Sequence, residues 1–299
     1  MKEMSCNLCG ESSVQVLFHG KDRLHKIDEK LFRIVQCSQC GLVRIDPQPT
    51  EEELAKYYPK EYGPYQDGDF IFKYGPLSRL MRKFLKFTAK GNRDGHVANA
   101  VDKTTPRYLD FGCGRGTNLE RVKMAHPNWE LYGLDTVSTA CEETTKRGFK
   151  VFCGDALSID LPKDFFDKVN MSHVVEHLQY PQETLKVLHK TMKEGATITI
   201  ATPNFDSPSA RIFKSYWYAL DTPRHLFLFT PTTLSAMIER AGFRVIKIDL
   251  DRNPKVLLKS MFYVLDKKDL RINPFLWRIF QVIGRLAGER SIMTIEAMK

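Results

Sequence analysis

The chain has 299 residues and a formal net charge of +9, a length that suits one large domain or one and a half smaller ones. No run approaches the roughly 18–20 uninterrupted apolar residues that a membrane span needs. The first residues, Met1-Lys-Glu-Met-Ser-Cys6, lack the apolar core of a secretion signal, so the seven cysteines point to the cytoplasm, where thiols serve metals rather than disulfides.

Charge is unevenly placed. Residues 71–103 carry eight Lys/Arg against two acids, and residues 251–299 carry ten against five. The first 50 residues hold seven basic and six acidic side chains, too close to neutral for a module that reads nucleic acid.

Cys6-x2-Cys9 and Cys37-x2-Cys40 each run straight into a glycine. Two such knuckles make a structural Zn2+ site from Cys6, Cys9, Cys37 and Cys40, with short strands at 14–18, 32–35 and 42–45. Some 45 residues are too few for a self-sufficient core; bound zinc supplies about 10–16 kcal/mol of folding energy in comparable peptides. We place the zinc ribbon at 1–48. Cys113, Cys141 and Cys153 are scattered and read as small core residues.

A connector with cleft-covering helices is expected at 49–104. Thr50-Glu-Glu-Glu53 is a capping box that opens a short helix. Tyr57-Tyr-Pro-Lys-Glu-Tyr-Gly-Pro-Tyr65 follows, and its Tyr62 and Tyr65 are candidates to line a substrate mouth or to pack the ribbon on the next domain. Leu77–Lys90 reads as a basic amphipathic helix, either covering a cleft or lying on a membrane surface.

From residue 105 strands and helices alternate, which implies a parallel sheet. Strands are expected near 107–111, 130–135, 150–153, 167–172, 196–202, 243–249 and 292–298. The first runs into Leu109-Asp-Phe-Gly-Cys-Gly-Arg-Gly116, an acid followed by a glycine-rich turn that opens a helix, as in nucleotide-cofactor sites of doubly wound sheets. The spacing is G-x-G-x-G rather than G-x-G-x-x-G, which suits a smaller anionic group. The second strand ends in Asp135, placed for ribose hydroxyls, and the third in Asp155, placed for an exocyclic amine. Thr230, Pro231 and Gly242 bracket one further helix. A helical insertion is expected over 252–290, its Phe275–Leu286 stretch apolar around most of its circumference.

In order and spacing, the glycine turn, Asp135, Asp155, His173-Val-Val-Glu-His177-Leu, Ala201-Thr-Pro-Asn204 and Asp221-Thr-Pro-Arg-His225-Leu resemble the class I S-adenosylmethionine-dependent methyltransferases. Within these, the likeness is to the ubiquinone-biosynthesis O-methyltransferases and zinc-ribbon-bearing sugar methyltransferases. The resemblance implies an α/β fold, a doubly wound, seven-stranded, mostly parallel Rossmann-like sheet carrying the N-terminal zinc ribbon. It implies S-adenosylmethionine as cofactor, held by Asp110, Gly112, Cys113, Gly114, Gly116, Asn118, Asp135, Thr136, Asp155, Ala156, Ser172 and His173.

Methyl transfer is an in-line displacement, in which holding two reactants collinear is worth about 7–11 kcal/mol. A hydroxyl acceptor adds the need for a base, worth about 10²–10⁴-fold. His225 is the favoured base, with His177 and Glu176 beside it; His177 reads equally as a structural hydrogen-bonded histidine. On a helix, 173 and 177 would share one face. The ubiquinone-type enzymes resemble Glu-x-x-Glu-His here and bind a divalent ion, but the first position is His173 in this chain, which disfavours Mg2+ and leaves a softer metal open. Arg224 is a candidate clamp for a phosphate or carboxylate of the acceptor, or a salt-bridge partner.

The acceptor expected from these features is a small molecule, a nucleotide- or lipid-linked sugar, with O-methylation preferred over C- or N-methylation. An RNA methyltransferase using the ribbon to bind RNA is the alternative, and a non-catalytic scaffold of the same fold is the third. Against RNA stand the near-neutral ribbon and Asn170-Met-Ser-His173 in place of the Asn/Asp-Pro-Pro-aromatic motif. Peripheral membrane contact stays open.

Overall fold

The computed structural model describes residues 5–58, 105–251, 255–266 and 288–299, with 282, 284 and 286 between. Tyr62, Tyr65, the basic helix expected at 77–90 and most of the apolar stretch 275–286 lie outside the described residues.

The main sheet has seven strands: β4 (Arg107–Phe111), β5 (Glu130–Asp135), β6 (Lys150–Cys153), β7 (Phe166–Ser172), β8 (Met192–Pro203), β10 (Arg244–Asp251) and β11 (Ile292–Met298). Their order is β10-β11-β8-β7-β4-β5-β6. All neighbouring pairs from β8 to β6 are parallel, while β11 runs antiparallel to both β8 and β10. Leu109, Val169, Ile198, Ile200 and Ile295 have no exposed surface, as expected for a sheet covered on both faces. The chain leaves β4 toward β5 and β6, then restarts at β7 on the other side of β4. The switch in direction therefore falls between β4 and β7, where doubly wound folds open a ligand crevice.

Helices α2 (Thr117–Ala125), α3 (Ser138–Lys146), α4 (Pro181–Thr191) and α6 (Pro231–Arg240) cross over between strands, with α1 (Glu51–Ala55), α5 (Pro208–Phe213) and α7 (Lys255–Val264) outside that pattern. Thr50 caps α1 in a reciprocal capping box with Glu53, and Thr230 caps α6 with Pro231 in its first turn.

The cysteine module forms a second sheet from β1 (Val14–Gly20), β2 (Phe32–Cys37) and β3 (Val43–Ile45). It is not closed at residue 48. The two-residue strand β9 (Phe227–Leu228) pairs antiparallel with β3, Val43 opposite Leu228 and Arg44 opposite Phe227. The amide of Ile45 donates to the carbonyl of Leu226 (3.0 Å), and the amide of Leu226 to that of Glu176 (2.8 Å). Phe32, Ile34, Val43 and Ile45 bury together with Trp217, Leu220 and Leu228. The module and the loop after β8 share one core.

Two expectations are corrected. Cys141 and Cys153, expected as separate core thiols, are joined as a disulfide with Cα atoms 5.9 Å apart; the β5–α3 and β6 segments pack side by side and bring them together. The stretch after β7 is not a helix from residue 173. His173 takes a left-handed backbone, φ +56°, and only a single 3₁₀ turn forms at Val175–His177.

Candidate functional site

The glycine turn is built against its neighbours. Gly112 has φ +77°, and a Cβ there would lie 2.4 Å from Val174 Cγ2, so the absent side chain is what lets the turn after β7 press against the turn after β4. The amides of Gly112 and Cys113 both donate to the carbonyl of Leu134. Gly116, φ +79°, leads into α2. Cys113 is 6 % exposed and packs with Tyr108, Leu119 and Leu131. Burial, with the charges of Asp135 and Asp110, pushes its thiol up to about 12, so the side chain is an inert wall and only its backbone belongs to the turn.

The acids differ in environment. Asp110, at the end of β4, is buried and accepts from Asn118 Nδ2 (3.0 Å) and Asn170 Nδ2 (2.9 Å); burial raises its pKa to about 6 against the pull of those two amides. Asp135 anchors the turn: Oδ2 accepts the Gly114 amide at 2.8 Å and Oδ1 the Val137 amide at 3.0 Å. A carboxylate offers about four lone-pair positions, so two are left uncommitted by these amides. Thr136 follows at the surface. Asp155 is exposed, its Oδ1 bonded to the Leu157 amide (3.0 Å), and the adjacent Ala156 is buried in the core. The amide of Gly154 donates to the Asp135 carbonyl (2.9 Å), which links the two acid-bearing loops. Ser172 and His173 stand exposed at the C-terminal end of β7.

Behind that end lies a cluster of acids and imidazoles. Glu176 is 1 % exposed. Its Oε1 lies 3.3 Å from His173 Nδ1 and 4.0 Å from His225 Nε2, while Oε2 is buried without a hydrogen-bond partner among the described residues. Burial opposes ionisation of Glu176, but the His173 hydrogen bond and the neighbouring imidazoles hold its pKa down at about 2.

His177 presents Nδ1 to the Arg224 carbonyl (3.0 Å) and to Tyr58 Oη (3.2 Å). Burial and the neighbouring His225 lower its pKa to about 4, so it stays neutral at ordinary pH. His225 presents Nδ1 to the Ala219 carbonyl (2.9 Å), and its ring meets that of His177 edge-on at 4.7 Å. With both Nδ1 positions committed to backbone carbonyls, each ring keeps an Nε2 lone pair. One ligand atom each from Glu176, His177 and His225 falls within 4.8 Å of the others. Two imidazoles and a carboxylate are donors suited to a borderline divalent ion rather than to Mg2+.

Arg224 does not face an acceptor, and the expectation of an anion clamp is corrected. Its side chain has no exposed surface. Nε bonds both oxygens of Asp221, Nη1 the Tyr57 carbonyl, and Nη2 both Asp22 (2.7 Å) and Asp221 (2.6 Å). The guanidinium is spent on tying the cysteine module to the loop that carries His225. Asp22, which no motif singles out, is the fully buried partner.

The four thiols converge. Cys6 and Cys40 Sγ atoms are 3.5 Å apart, as are those of Cys9 and Cys37, and all four lie within 4.8 Å of one another. A tetrahedron with Zn–S bonds of about 2.3 Å has edges near ~3.8 Å, so the thiols fit a zinc ion. Burial works against the Cys37 thiolate, yet the amides of Cys40 and Gln39 bring its pKa down to about 7, whereas burial pushes Cys40 far up. A bound cation would ionise the whole set.

A sequence profile described as a methyltransferase domain matches residues 76–248, more than half of the chain. A malonyl-[acyl-carrier protein] O-methyltransferase of Paenibacillus sp. (strain JDR-2) is 23 % identical over 179 residues, 53 % of this chain and 64 % of that protein. A tRNA U34 carboxymethyltransferase of Methylococcus capsulatus is 26 % identical over 213 residues, 68 % of this chain and 61 % of that one. The chain thus spans less than two thirds of either relative. The crystal structure of the [4+2]-cyclase SpnF superposes with a TM-score of 0.50 at 15 % identity, over 85 % of this chain and 98 % of that one, a likeness of fold alone.

Proposed function

The chain belongs to the class I S-adenosylmethionine-dependent methyltransferase family, and from that premise we propose that it methylates a hydroxyl of a small-molecule acceptor, a nucleotide- or lipid-linked sugar. The observation that carries the hydroxyl is the buried Glu176 carboxylate ringed by His173, His177 and His225. An alcohol must lose its proton as it attacks, and a carboxylate-held imidazole is the group that takes it. The sugar rests on the resemblance to zinc-ribbon-bearing sugar methyltransferases and on the near-neutral N-terminal module.

When bound, S-adenosylmethionine supplies a methyl group on a sulfonium, ready for in-line displacement. This chain's part is to hold and to exclude. Asp110 and Asn118 are hydrogen-bonded to each other across the glycine turn's two ends, Asp135 fixes Gly114 and would offer lone pairs to the ribose diol, and Asp155 would meet the base amine. Glu176 keeps a negative charge near the reacting centre and fixes the tautomer of His173. Cys6, Cys9, Cys37 and Cys40 would hold a structural zinc ion that stiffens the module on which the His225 loop rests.

The test is calorimetry of S-adenosylmethionine and S-adenosylhomocysteine on zinc-replete protein, then methyl transfer to a panel of nucleoside-diphosphate sugars, with the methylated atom located by NMR. Micromolar cofactor binding and an O-methyl ether support the reading. Salt-sensitive retention on RNA with methylated nucleoside as product would replace it with RNA methylation. Failure of the zinc-loaded protein to bind either cofactor form would point to a scaffold.

A further inference from the structure

We infer that His173, rather than His225 or His177, is the group that receives the acceptor's proton, with Glu176 as its positioning residue. The inference rests on the methyl-transfer reading and names the acting atom within it.

Three independent features lead there. The first is place. His173 directly follows β7, at the switch point between β4 and β7, the mouth of the ligand crevice in this class of sheet. The contact of Val174 with Gly112 sets the next residue against the glycine turn, and the His173 amide is fixed to the Ala201 carbonyl at 2.8 Å.

The second is access. The His173 side chain keeps 48 % of its surface, against 10 % for His225. His225 lies behind Glu176, and the His177 Nδ1 is taken up by Arg224 and Tyr58. Of the three imidazoles around Glu176, His173 alone joins an open face to a direct carboxylate contact. With Nδ1–H donated to Glu176 at 3.3 Å, Nε2 keeps the free lone pair. This is the arrangement by which an acid orients a base without itself taking the proton.

The third is backbone strain. A non-glycine residue at φ +56° is uncommon, and such residues persist where the surrounding structure over-determines them, often at active sites. Glycine would sit there without strain, yet a large polar side chain occupies the position.

The proton balance closes within the proposed reaction. The acceptor oxygen bonds to the methyl carbon as the carbon–sulfur bond breaks, and the hydroxyl proton passes to His173 Nε2 and then to water. The charged groups that bear on His173 are Glu176 from its own turn and Lys255 from the start of α7.

The experiment compares wild type, His173→Gly, His173→Asn and Glu176→Gln in methyl transfer to nucleoside-diphosphate sugars. The left-handed backbone accepts Gly and Asn, so both variants are expected to fold, which circular dichroism and thermal melting check. We expect kcat to fall about 10²–10⁴-fold with KM little changed, and added imidazole to restore part of the rate in His173→Gly alone. Glu176→Gln should lower kcat with KM little changed, and imidazole should not restore its rate. Wild-type kcat in His173→Gly, with His225→Gln inactive, overturns the inference and leaves the methyltransferase reading standing. A wild type that binds cofactor and methylates none of these sugars overturns both.

Discussion

The carboxylate of Asp22 meets the guanidinium of Arg224 at 2.7 Å, and neither side chain has any exposed surface. The two residues are 202 positions apart. One sits in the loop after β1, the other next to His225. The carbonyl of Arg224 orients His177, so the pair joins the cysteine module to the proton-handling cluster through a single residue. Removing one partner of a buried pair leaves a charge without compensation, at about 3–5 kcal/mol. Asp221 still accompanies Arg224, so Asp22→Ala is expected at the lower end, about 3 kcal/mol. Urea denaturation of zinc-replete protein measures it. Asp22→Leu should fare no better, since it restores volume and not charge; equal stability of Asp22→Leu and wild type would show that packing alone matters there.

Asp135 both pins the glycine turn and offers its remaining lone pairs outward. Hydrogen bonds to a charged group contribute about 1.5–3 kcal/mol each, so Asp135→Ala should weaken S-adenosylhomocysteine binding by about 100-fold or more. The exposed Asp155, whose described contact is the Leu157 amide, should cost about tenfold as Asp155→Ala. Calorimetry on both variants decides the order; the reverse ranking would move the ribose contact away from β5.

Zinc should be present at one tightly held ion per chain, measured by elemental analysis, and Cys37→Ser should lose it. Because Trp217 is buried among Phe32, Ile34 and Val43, a strong chelator is expected to shift its emission to the red while the seven-stranded sheet persists. An unshifted Trp217 in metal-free protein would show that the module holds its shape without the ion.

The histidines predict how stability follows pH. His177 is held neutral, its pKa lowered from 6.5 to about 4. Between those values the unfolded chain binds a proton that the folded chain refuses. Its contribution is therefore complete above pH 6.5 and is lost as pH falls toward 4, by up to about 3 kcal/mol at about 1.4 kcal/mol per tenfold. Asp110 acts in the opposite sense. Its pKa is raised from 3.8 to about 6, so the fold keeps a proton the unfolded chain releases, and that share is lost as pH rises through 6. His177→Gln should flatten the acid side of the melting-temperature profile, and Asp110→Asn should steepen it; parallel profiles for all three proteins would contradict both assignments.

The main sheet was legible because its strands carry the signals that burial demands. Leu109, Val169, Ile198 and Ile295 sit in strand-length segments that place apolar residues among polar ones at strand spacing, and glycines and acids mark where the chain turns at the cofactor edge. Expected and observed ranges agree within two residues for six of the seven strands. The exception is β8, which starts at Met192 rather than near 196, because Gly195 and Lys193 broke the apolar run without breaking the strand. Strand β9 was not legible: Phe227-Leu228 lies in the apolar string Leu226–Phe229, and only the partner β3 defines it as a strand. The left-handed His173 was equally hidden, since a histidine's modest enrichment at positive φ is too weak to single out one position. Arg224 was misread for a related reason. An arginine beside a histidine in a loop looks free to bind an anion until Asp22, from the far end of the sequence, is found to fill its fork.

The pairing of β3 with β9 bears on how the chain is made. Val43 and Leu228 are 185 positions apart by their numbering, and closing a loop of that length costs on the order of 5 kcal/mol in chain entropy. On the ribosome, the cysteine module is translated well before β9, its fourth strand. It must wait with an open β3 edge until the main sheet is nearly complete, and an open edge is a site for wrong pairing. An ion held by the four thiols would keep this small unfinished sheet in shape until its last strand is made.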